Sequence, residues 1–227
     1  MNQVSVIIPA AGAGSRFGEE KQFKLLGGRP LLFYCLQPFI ESSIIQEVIV
    51  VVPGNQIKSI HRDLMSMSAG KPITVIAGGV RRQDSVENGV SVSSSSANLI
   101  CIHDAARPFV TENMIANSIS ACENFDGAVV ALPSRDTVKL SNNGLVKETL
   151  DRRFIWLAQT PQTFNKDKLV AALYNADQND IIATDEAALM EAMGFSIALV
   201  EGHPTNFKIT TRDDWERAEQ YLLRKTQ

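Results

Sequence analysis

Residues 4–23 read VSVIIPAAGAGSRFGEEKQF, an apolar run that stops at Pro9 and opens into glycines, small residues and two cations. Val4, Val6, Ile7 and Ile8 form a β-branched run broken by one serine, the pattern of a strand covered on both faces in a parallel sheet. Pro9 ends it. Through Ala10, Ala11, Gly12, Ala13, Gly14 and Ser15 no side chain is large enough to hold backbone N–H groups away from phosphate oxygens. Arg16 and Lys21 then place positive charge where a triphosphate would lie. A strand that delivers a nucleotide to a phosphate-binding loop is the expectation.

The common glycine motifs fit this stretch poorly. Gly12, Gly14 and Gly18 leave three residues between the last two glycines where the dinucleotide fingerprint has two, and no acid closes the second strand. No GxxxxGK[ST] occurs either, which excludes a P-loop. Glycines alone would suit a bare strand-to-helix turn; Arg16 and Lys21 beside them favour a phosphate site.

At 227 residues the chain suits a single domain, residues 1–227, large enough to bury a substantial core. Its formal net charge of -3 gives no whole-protein attraction to nucleic acid or to an anionic membrane. Cations that bind phosphate must therefore be gathered locally. Cys35, Cys101 and Cys122 are odd in number and widely spaced, which suits buried thiols in a reducing compartment better than zinc or disulfides. His61, His103 and His203 are equally dispersed. No apolar stretch reaches the ~20 residues needed to span a bilayer, and no basic leader precedes the first strand, so the expectation is a cytoplasmic protein.

Strand and helix patterns alternate through the first 132 residues, in the manner of a doubly wound, mostly parallel α/β sheet. Helical spacing marks Leu31 to Ile40, with Pro38 placed to bend or shorten the helix, then Asn55 to Met67, Gln83 to Val92 and Met114 to Glu123. Strand-like runs are Glu47 to Val52, Ile73 to Ile76, Leu99 to Ile102 and Ala128 to Leu132, and Ser93 to Ser96 reads as a solvated loop. The alternation breaks at residues 137–149, where two short strand-like runs flank Asn143 and Gly144, a tight-turn signal. Its few apolar residues cannot build a core, so this hairpin arm lies on the domain or reaches a partner. Helices are expected again at Lys166 to Asn175 and at Asp185 to Met193, the latter with Thr184 as N-cap and Gly194 past its end. Short strands at Ser196 to Val200 and Asn206 to Ile209 precede a last helix, which the pair Thr211 and Asp214 opens as a capping box.

The chemistry-bearing stretches beyond the opening loop are GGVRRQDSV from residue 78, HDAARP from 103, DTVK from 136, TLDRR from 149, QTPQTF from 159, TDEA from 184 and EGHPTNFKIT from 201. The opening loop resembles the signature of the sugar-nucleotide pyrophosphorylase superfamily. All the stretches, in order and spacing, closely resemble its methylerythritol phosphate cytidylyltransferase family over almost the whole chain.

That resemblance implies transfer of CMP from CTP to a polyol phosphate with release of pyrophosphate, in a step of non-mevalonate isoprenoid synthesis. Carried over residue by residue, it makes Arg16 and Lys21 catalytic, through the charge they stabilise on the triphosphate. The nucleotide would lie on Pro9, Ala10, Ala11, Gly12, Ala13, Gly14, Gly79, Ser85, Asp104 and Ala105, with Asp104 also placing magnesium. The polyol phosphate would meet Arg107, Thr137, Arg152, Thr184 and Lys208. Val80, Arg81 and Arg82 sit in what reads as a variable turn and are set aside. On residues alone, Asp104 could equally pair with Arg107 or cap the next turn, and Lys208 and Arg152 read as solvated cations. The resemblance further implies a homodimer in which the 137–149 arm crosses to the partner.

Two other functions remain open at this level. A ribitol 5-phosphate cytidylyltransferase would share the loop and plan, although TLDRR and HPTNFKIT lean toward methylerythritol phosphate. A regulatory nucleotide-binding module would keep the glycine loop but has no need of Lys21, Asp104 and Lys208 together. A glycosyltransferase is disfavoured, because the chain contains no Asp-x-Asp triplet.

Overall fold

A computed structural model describes residues 2–65, 67 and 70–225. The opening run forms β1 (Val4–Pro9), and chain order continues with a two-residue ribbon, β2 (Leu25–Leu26) and β3 (Arg29–Pro30), then α1 (Leu31–Glu41) and β4 (Glu47–Val52). Next come α2 (Ile57–Met65), β5 (Ile73–Ala77), α3 (Arg82–Val92), β6 (Leu99–Ile102), α4 (Glu112–Ala121) and β7 (Gly127–Pro133). The arm is β8 (Val138–Asn142) with β9 (Leu145–Leu150); β10 (Trp156–Asn165), α5 (Lys166–Gln178), α6 (Glu186–Ala192), β11 (Ile197–Glu201) and α7 (Arg212–Lys225) complete the chain.

Seven strands form the main sheet in the order β11-β7-β10-β6-β1-β4-β5. Pairing is parallel everywhere except along β10, which runs antiparallel to both β6 and β7. The period-two rule assigns the side chains of each central strand to two layers. Val4, Val6 and Ile8, with Val48, Val50 and Val52, join the cluster under α1, α2 and α4, whereas Ile7, Ile49, Val51, Ile100 and Ile102 join the cluster under α3, α5 and α6. The doubly wound sheet expected from the sequence is what forms. A third, smaller cluster around Phe17, Leu26, Leu31, Phe109 and Trp215 fastens α7 beside the opening loop.

Several expectations are corrected. The strand β10 is absent from the sequence pattern, because Gln159, Thr160, Gln162 and Thr163 are buried polar residues in a ten-residue strand that no apolar alternation marks. Residues 206–209 form no strand; they run as an extended strap whose anchors are Asn206 and Ile209, both fully buried. The N-cap of α6 is Asp185, whose side chain accepts from the Ala188 N–H at 3.1 Å, and not Thr184, which is exposed. Ser93 is buried rather than solvated, with its hydroxyl turned back onto the Val90 carbonyl. Pro38 lies inside α1, which runs on to Glu41. The expected 55–67 helix holds over Ile57–Met65 after a short 3-10 turn at Gly54–Gln56, while Ser66 lies outside the described residues. Asn143 and Gly144 take positive φ values of 48° and 79°, which tight hairpin turns require.

Candidate active site

In an open α/β sheet ligands gather outside the carboxyl ends of the strands, where neighbouring strands lead off in opposite directions. Here that point lies between β1, which continues through α1 to β4 on one side, and β6 on the other. A cavity of about 280 Å³ opens there. Its walls are the 9–16 loop with Lys21 and Gln22, the 79–82 turn with Ser85, residues 104–106 after β6, and Lys208 from the strap.

The loop is shaped by few contacts. The Ala10 N–H continues the sheet ladder onto the Val51 carbonyl, and the N–H groups of Phe17 and Gly18 turn back onto the Gly14 carbonyl at 2.8 and 2.9 Å. Gly14 has φ +65° and lies so close to Glu19 that an added Cβ would stand 1.9 Å from the Glu19 carbonyl oxygen, so only glycine fits. The buried Gln22 side chain donates to the carbonyls of both Ala10 and Gly12 at 2.9 Å and so fixes the floor of the cavity. Sequence reasoning missed this residue, since nothing in a glutamine's spacing says that its amide folds back on the loop.

The facing wall is the start of α3. Gly78 allows close approach, because a Cβ there would stand 2.2 Å from that of Ala11. The Gly79 N–H donates to Ser85 Oγ at 3.1 Å, and that hydroxyl donates to the Arg81 carbonyl. Arg81 and Arg82, set aside as a variable turn, in fact line the cavity with Val80. Arg82 opens α3 and forks onto both oxygens of Glu186, at 2.7 and 2.8 Å, while its Nε lies 3.4 Å from Asp104. The signal in the sequence was the paired arginine just before a helix, whose partner 104 residues away no local pattern names.

Five cations line the cavity, Arg16, Lys21, Arg81, Arg82 and Lys208, against one carboxylate, Asp104. Burial by itself would raise the Asp104 carboxyl, but Lys208 at 2.9 Å, Arg82 at 3.4 Å and Arg107 at 3.5 Å hold it well below the ordinary carboxylate range. Burial lowers Lys21, and the charges of Lys208 and Arg16 lower it further against the opposing pull of Asp104. Burial would also lower Arg82, yet Glu186 and Asp104 carry it well above its usual value. A half-buried lysine held down by neighbouring cations, in a cavity lined by more positive than negative side chains, is a standing site for a polyanion.

Of the residues expected at the site, Pro9 through Gly14, Arg16, Lys21, Gly79, Ser85, Asp104, Ala105 and Lys208 come together on this cavity. Four do not. Arg107 is buried behind it, with its guanidinium donating to the Asn206 and Ala158 carbonyls and pairing with Asp104. Thr137 and Thr184 are exposed, and the exposed Arg152 donates to the Arg135 carbonyl at 2.6 Å. Asp104 does pair with Arg107, as the plainer alternative held, while also facing the cavity.

A glycine-walled pocket with fixed cations, on a doubly wound sheet, has what nucleotidyl transfer requires, and the fold and site together define a nucleotidyltransferase. Known proteins narrow the class. A family model described as 2-C-methyl-D-erythritol 4-phosphate cytidylyltransferase matches residues 4–224, and the chain belongs to that family. A relative so named from Geobacter metallireducens is 38% identical over 98% of both chains, and one from Halalkalibacterium halodurans is 38% identical over 98% of both. Among solved structures, the enzyme of that name from Thermus thermophilus superposes with a TM-score of 0.80 at 34% identity, covering 96% of this chain and 98% of its own. The 4-diphosphocytidyl-2C-methyl-D-erythritol synthase of Anaerococcus prevotii reaches 0.87 at 28% identity, covering 98% and 99%.

Proposed function

We propose that the chain joins CTP and 2-C-methyl-D-erythritol 4-phosphate to give 4-diphosphocytidyl-2-C-methyl-D-erythritol and pyrophosphate, a step of non-mevalonate isoprenoid synthesis. The observation that carries this reading is the convergence of the 9–16 loop, Lys21, Gly79, Ser85, Asp104 and Lys208 on one cavity in a chain of this family.

An oxygen of the substrate's 4-phosphate attacks the α-phosphorus of CTP in line. The bond from that phosphorus to the bridging oxygen of the β-phosphate breaks, and its electron pair leaves on pyrophosphate. The nucleophile is already ionised, so no general base is needed, and catalysis reduces to position and charge. Arg16 and Lys21 supply the charge at the triphosphate. Backbone polar groups around Ala10, Ala11 and Gly79, with Ser85 behind them, form a slot between the two glycine walls that suits a pyrimidine. Lys208, on the cavity wall and paired with Asp104, meets the incoming phosphate, and Arg107 holds Asp104 from behind.

Magnesium fits this donor set. Asp104 is an ionised carboxylate at the cavity wall and is the residue that would hold the ion. The chemistry the ion would supply is neutralisation of phosphate charge.

Residues 1–227 act as one domain with 137–149 as an arm. Leu145 and Val146 on that arm are 75% and 64% exposed, and an isolated two-stranded ribbon is marginal in water, which favours a homodimer that covers them. Thr137 and Arg152, both off this cavity, would then complete the polyol phosphate site of the partner. No helix among the described residues is long and apolar enough to cross a membrane; a cytoplasmic location accords with the free thiols of Cys35, Cys101 and Cys122. Mass spectrometry of a reaction with CTP, magnesium and methylerythritol phosphate tests the function: the diphosphocytidyl product is expected, chelation with EDTA stops its formation, and fresh magnesium restores it. Absence of that product would overturn the reading.

A further inference from the structure

The loop that carries Arg16 and Lys21 is mostly exposed, and its hydrogen bonds run largely within itself, so its seat on the rest of the domain comes from side-chain packing. Phe17 is buried at 6% exposure, directly after Arg16, and its ring packs against that of Trp215 on α7 with centroids 5.6 Å apart. The Lys21 ammonium lies 5.8 Å from the Phe17 ring, so that one aromatic residue sits beneath Lys21 and directly follows Arg16 in the chain. Farther along, Lys24 places its ammonium 5.6 Å from the Trp215 ring while pairing with Glu19 at 2.6 Å. Both ends of the 17–24 segment therefore rest on one indole.

That indole is itself fixed. Its Nε1 donates to Glu219 Oε1 one turn further on, at 2.9 Å. The start of α7 is closed by a capping box, in which Asp214 accepts from the N–H groups of Thr210 and Thr211 while Thr211 Oγ1 accepts from the Asp214 N–H. Just before that capping box the strap is tied to the residues after β6: the Ile209 N–H donates to the Ala106 carbonyl, and Lys208 reaches Asp104. One short stretch, residues 208–215, thus touches both residues 104–106 and the segment that carries Lys21.

We propose that Trp215 is a positioning residue for nucleotidyl transfer, acting through Phe17 to set where Arg16 and Lys21 stand relative to Asp104 and Lys208. It does not line the cavity. A misplacement of about 1 Å in groups that stabilise transition-state charge costs up to ~100-fold in rate, and an exposed loop released from its aromatic seat has that freedom. The inference rests on the proposed function, since it concerns that reaction's cations.

A double-mutant cycle tests it. Trp215→Leu and Phe17→Leu are each expected to lower kcat about tenfold while changing the KM for CTP less than about threefold, and the double variant should be no slower than either single one. Trp215→Phe, which keeps a ring against Phe17, should restore kcat to within about threefold of the parent. Independent losses that multiply in the double variant would overturn the proposal, as would Trp215→Leu with a lowered Tm and an unchanged kcat. If Trp215→Leu does not give folded protein, Phe17→Leu and Trp215→Phe carry the same decision: unchanged kcat in the first overturns it. A parent protein with no cytidylyl transfer contradicts the function itself, and is told apart by the parent assay alone.

Discussion

Lys21 stands half-buried between Arg16 and Lys208, an arrangement that burial and like charges make unfavourable until an anion arrives. A charge that grows only in the transition state is stabilised only there, so Lys21→Ala and Arg16→Ala should each lower kcat by roughly 100-fold or more, with the KM for CTP rising far less. Steady-state kinetics on folded variants checks this; a large rise in KM at constant kcat would leave only a binding role. His103 makes a different residue-scale claim. It is fully buried, with Nδ1 accepting from the Thr160 hydroxyl, Nε2 donating to the Arg107 carbonyl, and Thr160 Oγ1 accepting from the Asp104 N–H. Burial lowers its pKa from 6.5 to about 4. Between those values the unfolded chain binds a proton that the folded chain does not, so stability is lost as pH falls through that window, by about 3 kcal/mol for this group. Urea unfolding at stepped pH should show the fall, and His103→Gln should flatten it; an equal slope in the variant would contradict the assignment.

At the scale of elements, the pair Arg82 and Glu186 joins the first residue of α3 to the first residue of α6. Burial raises the Glu186 carboxyl and the Arg82 guanidinium opposes that rise. Removing Glu186 leaves Arg82 only its longer contact with Asp104, so Glu186→Ala should cost about 3 kcal/mol, the low end for a buried pair because the Arg82 side chain is 31% exposed. Arg82→Met with Glu186→Leu should cost less than Glu186→Ala alone, as denaturant midpoints would show; a larger loss in the double variant would mean the pair is a net stabiliser. These contacts also mark what the sequence could reveal. The opening strand and loop, the parallel strands and the Asn143–Gly144 turn are local patterns and were legible. The strand β10, the Arg82–Glu186 fork, the Gln22 amide and the buried Arg107 depend on partners far along the chain, where polar residues become interior ones only through tertiary pairing. Thr184 looked like the cap of α6 because Thr and Asp are both good caps, and only the backbone decides between neighbours.

For the whole molecule, the proposed homodimer with exchanged arms predicts complementation. An Arg152→Ala subunit and a Lys21→Ala subunit, each nearly inactive alone, should on exchange give heterodimers with one working site of two, since one site then draws both intact residues from different chains. Proven heterodimers without recovery would mean that each site is built within one chain. The substrate is the central claim, and pyrophosphate release tests it most directly. With CTP and magnesium held constant, methylerythritol phosphate is compared with ribitol 5-phosphate and with CTP alone. The highest kcat/KM is expected for methylerythritol phosphate, with no release from CTP alone; faster turnover of ribitol 5-phosphate, or no turnover of either polyol, would contradict the assignment.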